Sequence, residues 1–534
     1  MSPDPLRGGF PYPVNQLQRC GLAWSGWVFQ FLERLAARRK LSCLLVASFA
    51  MAIRLAALPF FPAPYPQVHD EFSYLLGAET FASGRLTNPP HPMWVHFETF
   101  HENFQPTYQS KYPPGQALVI ALGQKLFGKP WFGVWISFGL MCAALCWMLQ
   151  GWMPPVYAIL GTLIAIGQLG IFGQWMDSYW GGTVAAAGGC LVFGAIPRLA
   201  LHNNVPAAML GALGVLTLAN SRPYEGLVAT LAAFIGLLWW RHRLGRRLIG
   251  LLAPRLLVPV VLILGVGLGC MARYNYRVTG DALTLPYTVH MRTYAIASPF
   301  LILPAKRQPP VYHHEVIRRF WQEFDVNVYL KLRKNPLRRA ASFYNVLPFF
   351  FTTLVGFAVL VAALVSRSRK IWLPIAAWAA IWLAVIIETF MFPHYAAPGM
   401  GLVFIPVMGA LRWLRTIAGR YAAPCLLLFV LVVFIRGLGG FLDELGPPPP
   451  RQQIENALVR QGGKHLIIVA YSPSHNLDQE FVYNHADIDG SAIVWARDMG
   501  RDGNRELVNY YPDRKVWLLH PDSSSLLAPY PEPK

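Results

Sequence analysis

The sequence predicts an α-helical polytopic membrane protein of about eleven spans, followed by a small soluble α/β domain. Three observations carry that expectation. The chain is 54% hydrophobic and only 14% charged, with 18 Trp, 32 Phe and 22 Tyr. That is more apolar surface than one water-soluble core would hide, which leaves lipid as the solvent. The net charge is +19, yet the basic residues gather in short segments between apolar runs. This is the pattern of cytoplasmic membrane loops and argues against nucleic-acid binding. The acids are divided: 14 of the 27 Asp and Glu precede residue 442 and 13 follow it.

Residues 1–41 read as a cytoplasmic segment ending in Arg34, Arg38, Arg39 and Lys40. No small-residue cleavage site follows the next apolar run, so an uncleaved first helix with its N-terminus inside is expected. A span needs roughly 20 apolar residues. Runs of that reach lie near 42–60, 131–150, 155–173, 183–199, 205–220, 224–240, 251–272, 347–366, 371–391, 399–414 and 421–437. Stretch 116–128 is shorter, carries Lys125, and reads as a helix at the surface or dipping partway in. Leaving it out keeps Arg34–Lys40, Arg241–Arg247, Arg367–Lys370 and Arg412, Arg415 and Arg420 on the cytoplasmic side. The membrane domain, 42–441, then has outer loops 61–130 and 273–346. Loop 273–346 carries 12 Lys and Arg against 4 Asp and Glu. It suits phosphate or anionic lipid, and a solvated charged helix around 313–340 explains it equally well.

Residues 442–450, with Gly446 and Pro447 to Pro450, form a stiff spacer. Domain 451–534 follows on the outer side, with strands at His465–Tyr471, Ala492–Ala496 and Lys515–Leu519 and a helix within 499–510. Its short length favours an accessory or acceptor-contacting role. The cysteines at 20, 43, 142, 146, 190, 270 and 425 offer neither a disulfide framework nor a zinc site.

Against this scarcity of acids, His69-Asp70-Glu71 stands out, just past the first span. The spacing of Phe72, Leu75, Leu76 and Ala78 to Phe81 predicts an amphipathic helix over 71–83 lying on the membrane. Both acids would sit at its N-terminus, where the helix dipole keeps them ionised. There Asp70 either takes a proton from an acceptor hydroxyl or merely caps the helix. Lys111, ahead of Pro113 and Pro114, is placed to meet a lipid phosphate. Asp177 lies at a bilayer boundary, where an acid requires a partner or a function. Arg222 and Glu225 flank another boundary and suit pairing with each other. Glu388 lies inside the span 371–391, near His394 and Tyr395. Histidines 69, 91, 96 and 101 raise a divalent-metal site, but their spacing matches no helical ligand pair, and no metal is expected.

In this order and on one face, these motifs resemble the GT-C-type glycosyltransferases, nearest to the protein O-mannosyltransferase and lipid A aminoarabinose transferase group. The resemblance covers roughly residues 40–240, with an echo at His394-Tyr395-Ala396-Ala397-Pro398. It implies a GT-C-like fold and an inverting transfer of a sugar from a polyprenyl-phosphate-linked donor to a lipid, glycan or protein acceptor, with no required cofactor. It further implies Asp70 as general base, Glu71 as its support, Asp177 as a substrate-orienting acid and Lys111 as the contact to the donor phosphate. Arg222 is a second candidate for that phosphate; Glu225, Glu388, His394 and Tyr395 are candidates for substrate binding. Tyr112 departs from the aminoarabinose group, in which lysine directly precedes the prolines. The Ala- and Arg-rich composition points to a bacterial inner membrane, with the site and the C-terminus toward the periplasm. Two rival readings stand beside this one: a polyprenyl-linked polysaccharide polymerase or ligase, and a non-catalytic lipid or sugar transporter.

Overall fold

The computed structural model describes residues 14–170, 173–350, 356, 358, 371–443, 446–523 and 527–531. Most of the expected span 347–366 and all of Arg367–Lys370 lie outside the described residues. Each of the other ten expected spans coincides with an apolar helix. They are α2 (Arg39–Ala57), α6 (Trp131–Trp152), α7 (Pro155–Leu169), α8 (Thr183–His202), α9 (Val205–Ala219), α10 (Pro223–Arg243), α11 (Pro254–Thr279), α16 (Trp372–Ile386), α17 (Met400–Ala418) and α18 (Ala422–Asp443). Among the described residues seven are long and apolar enough to cross a membrane, while α7, α9 and α16 have only 15 residues. Such a helix is about 22 Å long, short of a hydrocarbon layer of about 30 Å.

The N-terminal segment holds a helix that was not foreseen. Within the segment read as cytoplasmic, α1 (Val14–Ala37) packs on α7 and α18. Phe29 and Ala36 are buried in the bundle core, and Glu33 meets Arg415 at 3.6 Å.

The bundle centres on α6, whose Phe138, Met141, Leu145 and Leu149 are fully buried among α2, α5 (Pro114–Phe127), α7 and α8. Lipid gives apolar faces no reason to avoid it, so helices associate here by close approach of small residues. At the α5–α6 crossing, a Cβ on Gly123 would stand 1.9 Å from the Gly133 nitrogen, so only glycine fits. A groove of about 1040 Å³ runs along α2, α6, α8, α9 and α11. Pro114, Gly115 and Asn220 line one end, Arg39, Lys40 and Arg198 the other, and the wall between is mainly apolar.

Everything unusual sits on the face where the groove meets Pro114, termed the site face. It carries α3 (His69–Ala82), α4 (Trp94–Phe97), a two-stranded ribbon of β1 (Glu102–Asn103) and β2 (Gln109–Ser110), and α12 (Pro286–Thr293). A continuous helical run follows: α13 (Glu315–Arg318), a π-helical stretch (Arg319–Phe324) and α14 (Asp325–Lys334), leading to α15 (Pro336–Phe350). Of the two readings of loop 273–346, the solvated helix is corrected in part: Phe320, Trp321, Asp325 and Tyr329 form a buried face.

The C-terminal residues form a sheet of order β4-β3-β5-β6, with β3 (His465–Val469) parallel to both β4 (Ile493–Arg497) and β5 (Lys515–Leu519), and β6 (Leu527–Pro529) antiparallel. Alternation along β3 divides its side chains between two cores. Ile467 and Val469 meet Ile454 and Leu458 of α19 (Pro450–Gln461). Leu466 and Ile468 meet Leu507 of α20 (Gly500–Tyr510), together with Leu76 of α3, Phe97 of α4, Phe104 and Tyr108. One face of this sheet is therefore completed by the first loop of the membrane domain.

Candidate active site

The site begins at the first turn of α3. Glu71, third in the helix, turns back so that its Oε2 accepts the amides of Gln67 (2.8 Å) and Val68 (3.3 Å), while Oε1 accepts that of Tyr179 (2.8 Å). Glu71, and not Asp70, therefore satisfies the unpaired donors of the helix start. Its full burial outweighs those amides and lifts its pKa to about 7, which corrects the expectation that the helix dipole holds both acids ionised. The placement of α3 is corrected too: His69, Tyr74, Leu76 and Ala78 are buried in protein, not laid on lipid.

Asp70 faces the other way. Its Oδ1 accepts the Tyr112 hydroxyl, and the Tyr112 ring stacks on Tyr74 at 4.5 Å. Tyr112, read from the sequence as a departure from the family spacing, is what links Lys111 to the acid pair. Lys111 Nζ donates to His101 Nδ1 at 2.6 Å and lies 5.0 to 5.8 Å from the ring centres of Tyr112, Tyr287 and Trp321. Burial lowers its pKa to about 8, partly offset by Asp70 and Asp325. His101 adopts a left-handed backbone (φ 64°), a conformation costing about 1 kcal/mol or more for a residue with a side chain. Its carbonyl is held there by Ser73 Oγ (2.6 Å) and the Lys111 amide (3.2 Å).

A narrow gap lined by Lys111, Pro114, Asn220, Met271 and Tyr287 opens where the long groove ends; Pro114, Asn220 and Met271 line both. The end of the apolar groove thus shares a wall with the gap beside the buried Lys111 ammonium. Beside it, Arg222 lies 3.8 Å from Glu225, the pairing expected, and its guanidinium covers the Tyr395 ring at 4.5 Å. His394, next to Tyr395, packs edge-on against Trp180 at 5.1 Å.

The other candidates sit further out. Asp177 is engaged by Arg54 at 2.6 Å, and that guanidinium also donates to the carbonyls of Phe61 (2.9 Å) and Pro62 (3.4 Å). Glu388 was expected inside a span; α16 ends at Ile386 instead, and Glu388 pairs through its backbone with Phe300. The four loop histidines go to separate partners. His69 bonds Tyr483 and Leu477, His91 meets Asp489 at 3.0 Å, His96 lies 3.5 Å from the Arg497 carbonyl, and His101 takes Lys111.

Sequence reasoning missed Tyr112, Tyr74, Tyr287, Trp321 and Asp325. Asp325 is buried with Oδ2 unpartnered, and its pKa is raised to about 7 by burial, against the pull of Lys111. The one signal that pointed to it was its place among the 14 acids before residue 442.

No known family profile and no curated protein matches this sequence. Solved structures do. ArnT from Cupriavidus metallidurans in the apo state aligns over 94% of this chain and 94% of its own, with a TM-score of 0.52 at 13% identity. The chain has the fold of ArnT. The undecaprenyl-phosphate-bound form of ArnT aligns over 90% of this chain and 93% of its own, with a TM-score of 0.50 at 12% identity. The archaeal oligosaccharyltransferase AglB from Archaeoglobus fulgidus, in complex with an inhibitory peptide and a dolichol-phosphate, aligns over 89% of this chain and 69% of its own (TM-score 0.47, 11% identity). The alignment with apo ArnT takes in nearly the whole chain, bundle and site-face layer together, and agrees with the fold implied by the Asp70, Lys111 and Asp177 motifs.

Proposed function

We propose that this protein transfers a sugar from a polyprenyl-phosphate-linked donor to an acceptor hydroxyl of a lipid, glycan or protein, inverting the anomeric centre. The observation that carries this reading is the apolar groove whose end shares a wall with the gap at Lys111, with the Asp70 carboxylate one tyrosine away. A long isoprenoid suits the groove, and its phosphate suits the buried ammonium beside its end. ArnT, whose fold this chain shares, binds undecaprenyl phosphate.

The chemistry follows from the placement. Asp70 takes the proton of the acceptor O–H as that oxygen attacks the anomeric carbon. The bond from that carbon to the phosphate oxygen breaks, its electron pair leaves with the phosphate, and Lys111 and Arg222 stabilise the departing charge. Tyr112 aims the Asp70 carboxylate. Glu71 and the Arg54–Asp177 pair hold the backbone around it, and Glu225, Glu388, His394 and Tyr395 line the approach for substrate. As written, the step needs no cofactor. The working face is the periplasmic side of a bacterial inner membrane.

The test is sugar transfer by wild type and Asp70→Asn, using a panel of labelled polyprenyl-phosphate sugars and a crude acceptor extract. Loss of roughly 100- to 10,000-fold in turnover with donor binding retained is expected of a missing base. An Asp70→Asn enzyme as active as wild type would remove Asp70 from that role.

A further inference from the structure

The C-terminal domain was expected to play an accessory or acceptor-contacting role behind a stiff spacer; its contacts go beyond that expectation and run the length of α3. His69, Phe72, Leu76 and Glu79 form one stripe at helical spacing, and each meets that domain. His69 Nδ1 lies 2.7 Å from the Tyr483 hydroxyl and its Nε2 2.9 Å from the Leu477 carbonyl. Phe72 stacks on Tyr483 at 4.1 Å with the rings 2° from parallel, and Arg451 lies 4.8 Å from the Phe72 ring centre. Leu76 enters the core of the sheet, and Glu79 takes His485 (2.6 Å) and the Ala486 amide (3.0 Å). Asp70, Ser73, Tyr74 and Gly77 form the opposite stripe, toward Tyr112, His101 and Ser110. The apolar residues of α3 are thus divided between two protein partners: Phe72 and Leu76 meet this domain, while Leu75, Ala78 and Phe81 pack on the bundle core.

We propose that the C-terminal domain is a working part of the site, in which Tyr483 and Leu477 fix His69 and thereby the aim of Asp70. This rests on the transferase reading above. A carbonyl only accepts, so Leu477 places the imidazole proton on Nε2 and leaves Nδ1 to accept from the Tyr483 O–H. Tautomer and ring plane are both determined. The ring cannot turn, because Phe100 and Phe320 close on it at 4.6 and 5.7 Å. The residues that hold His69 are themselves held. Glu480 accepts from the Tyr471 hydroxyl, from the amides of Phe481 (2.9 Å) and Val482 (2.7 Å), and from Arg497 (2.8 Å), whose Nε also donates to the Glu98 carbonyl. His69 and Asp70 are consecutive in the first turn, so a shift of the imidazole moves the carboxylate with it. Lys111 stands on a different element and reaches His69 only through His101, whose ring lies edge-on to the imidazole at 5.6 Å; removing the Tyr483 hydroxyl leaves that ring contact in place, so donor binding is expected to persist. His69 is accordingly a positioning residue.

The test uses the full-length protein in detergent. Tyr483→Phe keeps the ring stacked on Phe72 and removes only the hydroxyl. Expected is a fall in kcat of roughly tenfold or more, as a misplacement of about 1 Å is worth about a hundredfold. The Kd for undecaprenyl phosphate and the melting temperature should stay unchanged, and amide exchange over 69–74 should quicken. His69→Ala should lose more, and His69→Gln, which keeps an N–H for Leu477, should recover part of it. Unchanged kcat and exchange in Tyr483→Phe would overturn the proposal, as would kcat and donor affinity falling together with the melting temperature. If wild type shows no transfer, or Asp70→Asn matches it, the transferase reading fails, and exchange over 69–74 in Tyr483→Phe alone decides whether Tyr483 holds the helix.

Discussion

The bundle and the site-face layer solve burial in opposite ways. Almost none of the apolar stretch of α11 is buried, and Val261, Leu262 and Val266 point outward. Every residue of β3 and β4 is buried, the cation Arg497 at the end of β4 among them, and so is its counter-ion Glu480. Lipid accepts an apolar side chain at no cost, so α11 needs little from its neighbours. A buried ion accepts almost nothing except its own partner. The bundle is accordingly specified by composition and by a few close approaches, the layer by particular pairs.

That contrast can be broken by substitution. The largest change in stability should follow Glu480→Ala, which leaves Arg497 buried without its counter-ion; the cost expected is about 3–5 kcal/mol. Chemical denaturation of the full chain in detergent reads it, and a loss under about 1 kcal/mol would mean the pair is not what holds the layer.

A smaller, graded effect is expected at Lys111. Its pKa is lowered to about 8, so the ammonium proposed to meet phosphate is present below that pH and lost above it. Affinity for undecaprenyl phosphate should be flat at pH 6–7 and fall up to about tenfold per unit beyond about 8, with Lys111→Arg moving the fall to higher pH. A titration that stays flat to pH 10 in wild type would separate Lys111 from the phosphate.

At the bottom of the scale, Leu431→Ala on the outward face of α18 should change stability by no more than about 0.5 kcal/mol. A loss of several kcal/mol there would show that the face is covered by protein.

The same contrast governs what the sequence discloses. Apolar runs of the right length announce helices because lipid asks only for length, and ten expected spans lie on described helices. The strands at 465–471, 492–496 and 515–519 were legible because β-branched runs between turn residues have few other uses. The periodicity of Phe72, Leu75 and Leu76 disclosed a helix but not its partner, since an apolar stripe looks the same against lipid and against a sheet. Asp70, Glu71 and Lys111 stood out as scarce charges in an apolar chain, whereas Tyr112 and Trp321 belong to the aromatic background of 18 Trp and 22 Tyr. Glu71 was misread because its burial, which opposes the helix dipole and the amides it accepts, is set by tertiary packing and leaves no local mark in the sequence. α1 escaped because its apolar residues alternate with Arg19, Glu33 and Arg34.

The link between His69 and Tyr483 joins residues 414 positions apart. At ribosomal speeds of about 5–20 residues per second, roughly 20 to 80 seconds separate their synthesis. Over that interval the bundle can insert helix by helix while α3 waits without the surface that completes it. A nascent or prematurely stopped chain therefore reaches the membrane carrying Asp70, Tyr112 and Lys111 but without the contact that fixes His69. On the proposal above, translation itself acts as a timer that withholds a fixed His69 until the C-terminal domain has emerged.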